Sequence, residues 1–189
     1  MNRGLLVVIS GPSGVGKDTI IQRLLSADRN LRYSVSATTR QPRAGEVPGV
    51  NYTFLSRDEF RQMVDDGAFL EHATYDGNLY GTLRERVEQA RDASHDVVLK
   101  IDVQGAEQVR QSERDGTFIF VVPPSVEELE RRQVLRNSET TADRVSRRKI
   151  AELEMTFAPR YDHVVVNDDV GRAVDEIMRI IREARERQT

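Results

Sequence analysis

Residues 5–17 read "LLVVISGPSGVGK", and this run constrains the chain more than any other. An apolar stretch leads into a turn carrying Gly11, Gly14 and Gly16, closed by Lys17, which is the spacing G-x-x-x-x-G-K of a loop between a strand and a helix. Glycines let successive backbone amides point inward at phosphate oxygens, and the helix N-terminus adds its positive end. The loop of Gly11, Pro12, Ser13, Gly14, Val15 and Gly16 therefore reads as a nucleoside triphosphate site, with Lys17 reaching the β and γ phosphates. Asp18 departs from the pattern, because a Ser or Thr hydroxyl ordinarily holds magnesium there. A carboxylate can ligate magnesium, and it is also favoured in the first turn of a helix by the macrodipole; the sequence alone allows either. Thr19 offers a hydroxyl, but successive helical residues face different directions.

Further apolar, β-branched runs, "VVLKI" at 97–101, "TFIFVV" at 117–122 and "HVVVN" at 163–167, alternate with helical patterns. That alternation predicts an α/β fold with a parallel sheet wrapped by helices. Ile20, Ile21, Leu24 and Leu25 form one face of a helix after the glycine loop, and Ala173, Ile177, Ile180, Ile181 and Ala184 do so near the C-terminus. Capping boxes are expected at Ser56 with Glu59, Thr82 with Glu85, and Ser125 with Glu128. Two segments break the pattern. Residues 34–82 are rich in Thr, Arg, Gly, Pro and Tyr and read as an inserted α+β lobe. Residues 125–158 are helix formers dominated by charge, and are expected to be held weakly by the core.

The 189 residues suffice for a core without staples, and the absence of cysteine suits the cytoplasm. The apolar start is too short for a signal peptide's apolar region or a membrane span, so no membrane partner is expected. A net charge of −3 despite 31% charged residues argues against nucleic acid as the main partner.

The stretch "SVSATTRQPRAGEVPGVNYTF" gathers Arg40, Arg43, hydroxyls and Tyr52. Guanidinium groups grip phosphate bidentately, so the stretch reads either as a second phosphate site or as an exposed basic loop. Taken with "GPSGVGK", "FLEHATYDGNLYGT", "IDVQG", "VVPPS" and "VVVND" in that order, the chain resembles guanylate kinases, enzymes that phosphorylate GMP with ATP. The resemblance runs nearly end to end. It implies a P-loop NTPase-type core (1–33, 83–124 and 159–189), a GMP-binding lobe (34–82) and a helical lid (125–158). It also implies ATP and GMP as partners, magnesium as cofactor, dGMP as a further acceptor, and a monomer or homodimer.

Residue by residue, the resemblance places Ser36, Arg40, Arg43, Tyr52 and Tyr80 on the GMP phosphate. Glu71 and Thr82 fall at the guanine-reading positions, with Asp102 beside them. Arg136 and Arg147 match the lid arginines that, with Lys17, carry catalysis, and Asn167 matches a residue near the adenine. The glutamate assignment has independent chemical support: guanine presents donors at N1 and N2, so one ionised carboxylate can accept from both, whereas adenine presents an acceptor at N1. Arg131, Arg132, Arg144 and Arg148 read as solvated helix faces. Besides Asp18, Lys100 departs from the family, which often has an acid there. The role of that acid is then dropped or moves to Asp102, magnesium is expected at Asp18 or Asp102, and the carboxylate gained at 18 is expected to offset the one lost at 100. The competing readings are a guanylate-kinase-like interaction domain, which tends to lose the loop lysine and lid arginines, and another nucleoside monophosphate kinase, from which Glu71 and "RQPRAGE" separate this chain.

Overall fold

A computed structural model of the chain describes residues 2–75, 77–134 and 149–188. In chain order its elements are β1 (Leu6–Ser10), α1 (Lys17–Ala27), β2 (Leu31–Tyr33), β3 (Ala37–Thr38), β4 (Thr53–Phe54), α2 (Arg57–Asp65), β5 (Phe69–Tyr75), β6 (Asn78–Leu83), α3 (Arg84–Asp92), β7 (Asp96–Lys100), α4 (Val103–Ser112), β8 (Thr117–Val122), α5 (Val126–Val134), α6 (described over 149–155), β9 (His163–Val166) and α7 (Val170–Arg187). Five strands form a parallel sheet in the order β2-β7-β1-β8-β9. Strands β1 and β8 lie inside it and are buried along their whole length, which is why they read as continuous apolar runs rather than alternating ones. At the edge, β9 exposes Val164 and Val166 and buries Val165. The faces expected of α1 and α7 pack on this sheet: Ile20, Ile21 and Leu24 from one, and Ala173, Ile177, Ile180, Ile181 and Ala184 from the other.

The second sheet comes from residues 37–83, in the order β4-β3-β6-β5, with β3 and β4 parallel and the other pairs antiparallel. Helix α2 covers it, stacking Phe60 on Phe69 with ring centroids 4.3 Å apart. Helix α4 of the first sheet joins the two: Gln108 accepts from the His72 amide at 3.1 Å and donates to the His72 carbonyl at 2.8 Å. Those two bonds satisfy backbone groups of β5 and fix its position beside the main sheet.

Of the three expected capping boxes, the one at Ser56 and Glu59 is complete. At the start of α5 only half forms: the Glu128 amide donates to Ser125 Oγ, while the Glu128 carboxylate takes Arg131 and Arg132 instead. The box at Thr82 is absent. Strand β6 continues to Leu83, which becomes the N-cap of α3, and the Thr82 side chain faces inward to a buried acid. No described helix is long and apolar enough to cross a membrane. Of the expected lid, residues 135–148, with Arg136 and Arg147, lie outside the described residues.

One buried cation ties the N-terminal side of the sheet together. The Arg91 side chain is fully buried; its Nε donates to the Gly4 carbonyl at 2.8 Å, one Nη to Glu113 at 2.9 Å, and the other to Asp115. Losing a buried, hydrogen-bonded charge partner strands the others. Arg91→Met should therefore lower the unfolding free energy by about 3 kcal/mol, read as an earlier urea midpoint at unchanged slope; an unshifted midpoint would show the guanidinium to be dispensable.

Candidate functional site

Helix α1 begins without a side-chain cap: its N-cap is Gly16, at φ +103°, which has no side chain to accept from the first-turn amides. A Cβ at position 16 would lie 2.5 Å from Asn167 Nδ2, so only glycine fits. That amide nitrogen donates to the Val15 carbonyl at 2.7 Å, and Asn167, just past β9, thereby braces the loop from the sheet. Arg132 adds a second brace, with Nη1 3.2 Å from the Asn167 carbonyl and 3.5 Å from that of Val15. It is thus not the solvated helix residue expected of it, whereas Arg131 is exposed and paired with Glu128. Arg144 and Arg148, like Arg136 and Arg147, lie outside the described residues.

Lys17 Nζ donates to the carbonyls of Gly11 and Pro12. Burial pulls its pKa down to about 8, against the opposing pull of Glu154. Glu154, on α6, accepts from the Ser13 amide and is itself raised by burial. A carboxylate is thus held between a loop amide and the lysine, whose donors favour negative charge there. Nothing in the sequence around Glu154 marked it, since it sits in a charge-rich helical run. Thr19 is exposed.

Asp18 and Lys100 meet. Lys100 Nζ donates to Asp18 Oδ1 at 2.6 Å, joining the first turn of α1 to the C-terminal end of β7. Burial opposes the charge on Lys100, yet Tyr33, Asp18 and Tyr52 around it hold the ammonium well above the ordinary lysine range. Positions 18 and 100 are thus joined by a direct ion pair.

Beyond Lys100 the second sheet supplies a cluster of phosphate-binding type. Tyr52 and Tyr80 pack edge to face at 6.0 Å, and the Arg40 guanidinium lies 5.3 Å from the Tyr52 ring centre. Glu46, missed by sequence reasoning, holds Arg40 through two bonds of 2.8 and 3.0 Å and also accepts from the Arg43 amide. Such a clamp orients a guanidinium before any anion arrives. Arg43 is exposed, and Ser36 is buried just before β3.

Glu71 on β5 is 5% exposed, and its Oε1 accepts from Thr82 Oγ1 at 2.6 Å. Its other oxygen lies against the start of α4, where a Cβ at Gly105 would come within 2.4 Å of Oε2. Asp102 caps that helix, accepting from the Gly105 amide at 2.8 Å. Burial, reinforced by the nearby Asp102 charge and opposed by the Thr82 bond, pushes the Glu71 pKa up from 4.5 to about 7. The folded value lies above the ordinary one, so the stability Glu71 contributes is complete below about pH 4.5 and lost as pH rises through about 7. An ionised Glu71 is costly in the free protein and gains from any ligand that brings donors to it.

The donor set for a metal is modest. Among the described residues no cluster of three or more His, Cys, Asp or Glu side chains could hold an ion. Magnesium carried by phosphates with its own waters needs only one or two protein carboxylates; Asp18 beside the loop and Asp102 just after β7 fit that need.

A triphosphate-type loop, a second anion cluster and a buried acid thus gather at the C-terminal ends of β1 and β7, where ligands bind in open α/β sheets. Comparison with known proteins agrees in kind. Residues 3–184 match the guanylate kinase family model. A guanylate kinase of Clostridium perfringens is 49% identical over 180 residues, covering 95% of this chain and 83% of that protein. One of Bacillus subtilis is 51% identical over 180 residues, covering 95% and 88%. The crystal structure of a guanylate kinase from Anaplasma phagocytophilum superposes with a TM-score of 0.80 at 37% identity, covering 96% of this chain and 86% of that one. The chain belongs to the guanylate kinase family.

Proposed function

We propose that the chain transfers the γ phosphoryl group of ATP to the phosphate of GMP, giving ADP and GDP. The observation that carries the acceptor's identity is Glu71, a buried carboxylate already held by Thr82. Ionised, it accepts from guanine N1 and N2; adenine would leave it facing a lone pair, and an unpaired buried acceptor discriminates strongly. Asp102 stands beside it. Ser36, Arg40, Arg43, Tyr52 and Tyr80 would hold the GMP phosphate. None of these groups is assigned to the ribose, so dGMP is expected as an acceptor.

ATP would lie with its phosphates in the loop from Gly11 to Gly16, within reach of the α1 amides, Lys17, Asp18 and Thr19. Asn167 would act on the adenine side by fixing the loop, to which it donates. A GMP phosphate oxygen attacks the γ phosphorus in line, the bond to the ADP oxygen breaks, and no covalent enzyme intermediate forms. Positioning and charge supply the catalysis. Lys17 meets charge on the β and γ oxygens, and Arg136 and Arg147 would close over them from the lid. Magnesium, held by the phosphates with Asp18 or Asp102, would neutralise further charge. The core (1–33, 83–124, 159–189), lobe (34–82) and lid (125–158) would bring the two nucleotides together and exclude water. A cytoplasmic monomer or homodimer suits that work.

A coupled ADP-release assay with ATP and each of GMP, AMP, CMP, UMP and dTMP should show turnover with GMP alone; preference for another acceptor would overturn the assignment. Glu71→Gln turns an amide donor toward guanine donors. It should lower kcat/KM for GMP about 100-fold or more while leaving KM for ATP within about twofold; a GMP value within threefold of the parent would remove Glu71 from base recognition.

A further inference from the structure

Neither the phosphate loop nor the guanine pocket accounts for Lys100. It ends β7, register-paired with Ile9 of β1 just before the loop, so its side chain starts where the two nucleotide sites meet. Asp18 reaches it from the loop at 2.6 Å. Tyr33 and Tyr52 also stand near the ammonium, and Tyr52 belongs to the cluster with Arg40 and Tyr80. The lysine side chain is 23% exposed and the aspartate 68%, so the ammonium is the enclosed partner and the carboxylate the tether. A salt bridge built only to neutralise Asp18 would not need a lysine enclosed between two anion sites.

The charge arithmetic points the same way. Asp18 alone would repel a triphosphate at close range. With Lys100 against it the pair is neutral, and an ammonium carries three donors. Asp18 takes one and the Tyr33 hydroxyl a second, which leaves the third for an anion. Lysine is a usual phosphate ligand, acting as a compact point charge.

We propose that Lys100 is a phosphate-binding residue for the acceptor nucleotide, held in place by Asp18 as a positioning residue. Both then act on the GMP phosphate from the loop side, opposite Arg40. The proposal rests on the reading of GMP as acceptor.

Calorimetric titration of GMP and of guanosine, without ATP or metal, into the parent protein, Lys100→Met, Asp18→Ser and the double variant tests it. Lys100→Met should weaken GMP about 10- to 100-fold, the range of a lost charged hydrogen bond, and leave guanosine unchanged. Asp18→Ser should weaken GMP less, again sparing guanosine. The double variant should bind GMP no better than Lys100→Met, because removing the tether cannot restore the ammonium. A Lys100→Met protein with parental GMP affinity, equal losses for GMP and guanosine, or recovery in the double variant would each overturn the proposal and leave a structural ion pair. Failure of the parent itself to bind GMP would instead overturn the reading of the acceptor.

Discussion

The turn from β1 into α1 has no room for a side chain at Gly16, and much of the molecule is arranged around that fact. The Asn167 amide occupies the space a Cβ would need and donates to the loop, so the loop's shape depends on where β9 ends. Strand β9 is set in turn by its parallel register with β8, and β8 by β1. Arg132 closes the circuit by bonding to both Asn167 and Val15. A loop held from the sheet in this way keeps its amides oriented before ligand binds, which lowers the cost of gathering phosphate charge.

A similar close approach builds the second half of the site. Only a glycine at 105 lets Glu71 lie against the start of α4, and the Gln108 bonds to His72 hold β5 in the position that puts it there. The result is an acid too buried to ionise freely, whose pKa of about 7 reflects missing solvent and a nearby carboxylate. In the proposed reading, a base carrying two donors would supply what is missing. Recognition and the cost of burial would then be two sides of one arrangement, as is common where titratable groups are strongly perturbed.

The central strands were legible because parallel strands buried on both faces must be apolar throughout, as "LLVVI" and "TFIFVV" are. Strand β2 was not, since its three residues at the sheet edge include the exposed Arg32. Short-range signals failed where long-range partners outcompeted them. Thr82 spells a capping box but serves a buried acid eleven residues away, and Arg132 looks like a surface residue but bonds the loop across more than a hundred positions. The phosphate loop was readable from its own spelling, and Glu71 only through the family resemblance. The contacts that organise both, from Gly105 and Glu154, are tertiary and left no local pattern.

If guanine is read by an ionised Glu71 that is largely protonated in the free protein at pH 6, binding must expel that proton. Calorimetry of GMP binding at pH 6, repeated in buffers of different ionisation enthalpy, measures the number released. The GMP phosphate gives up part of its own second proton in either protein, so the parent should release about 0.9 proton more than Glu71→Gln, for a pKa near 7. Equal proton release by the parent and Glu71→Gln would contradict the account.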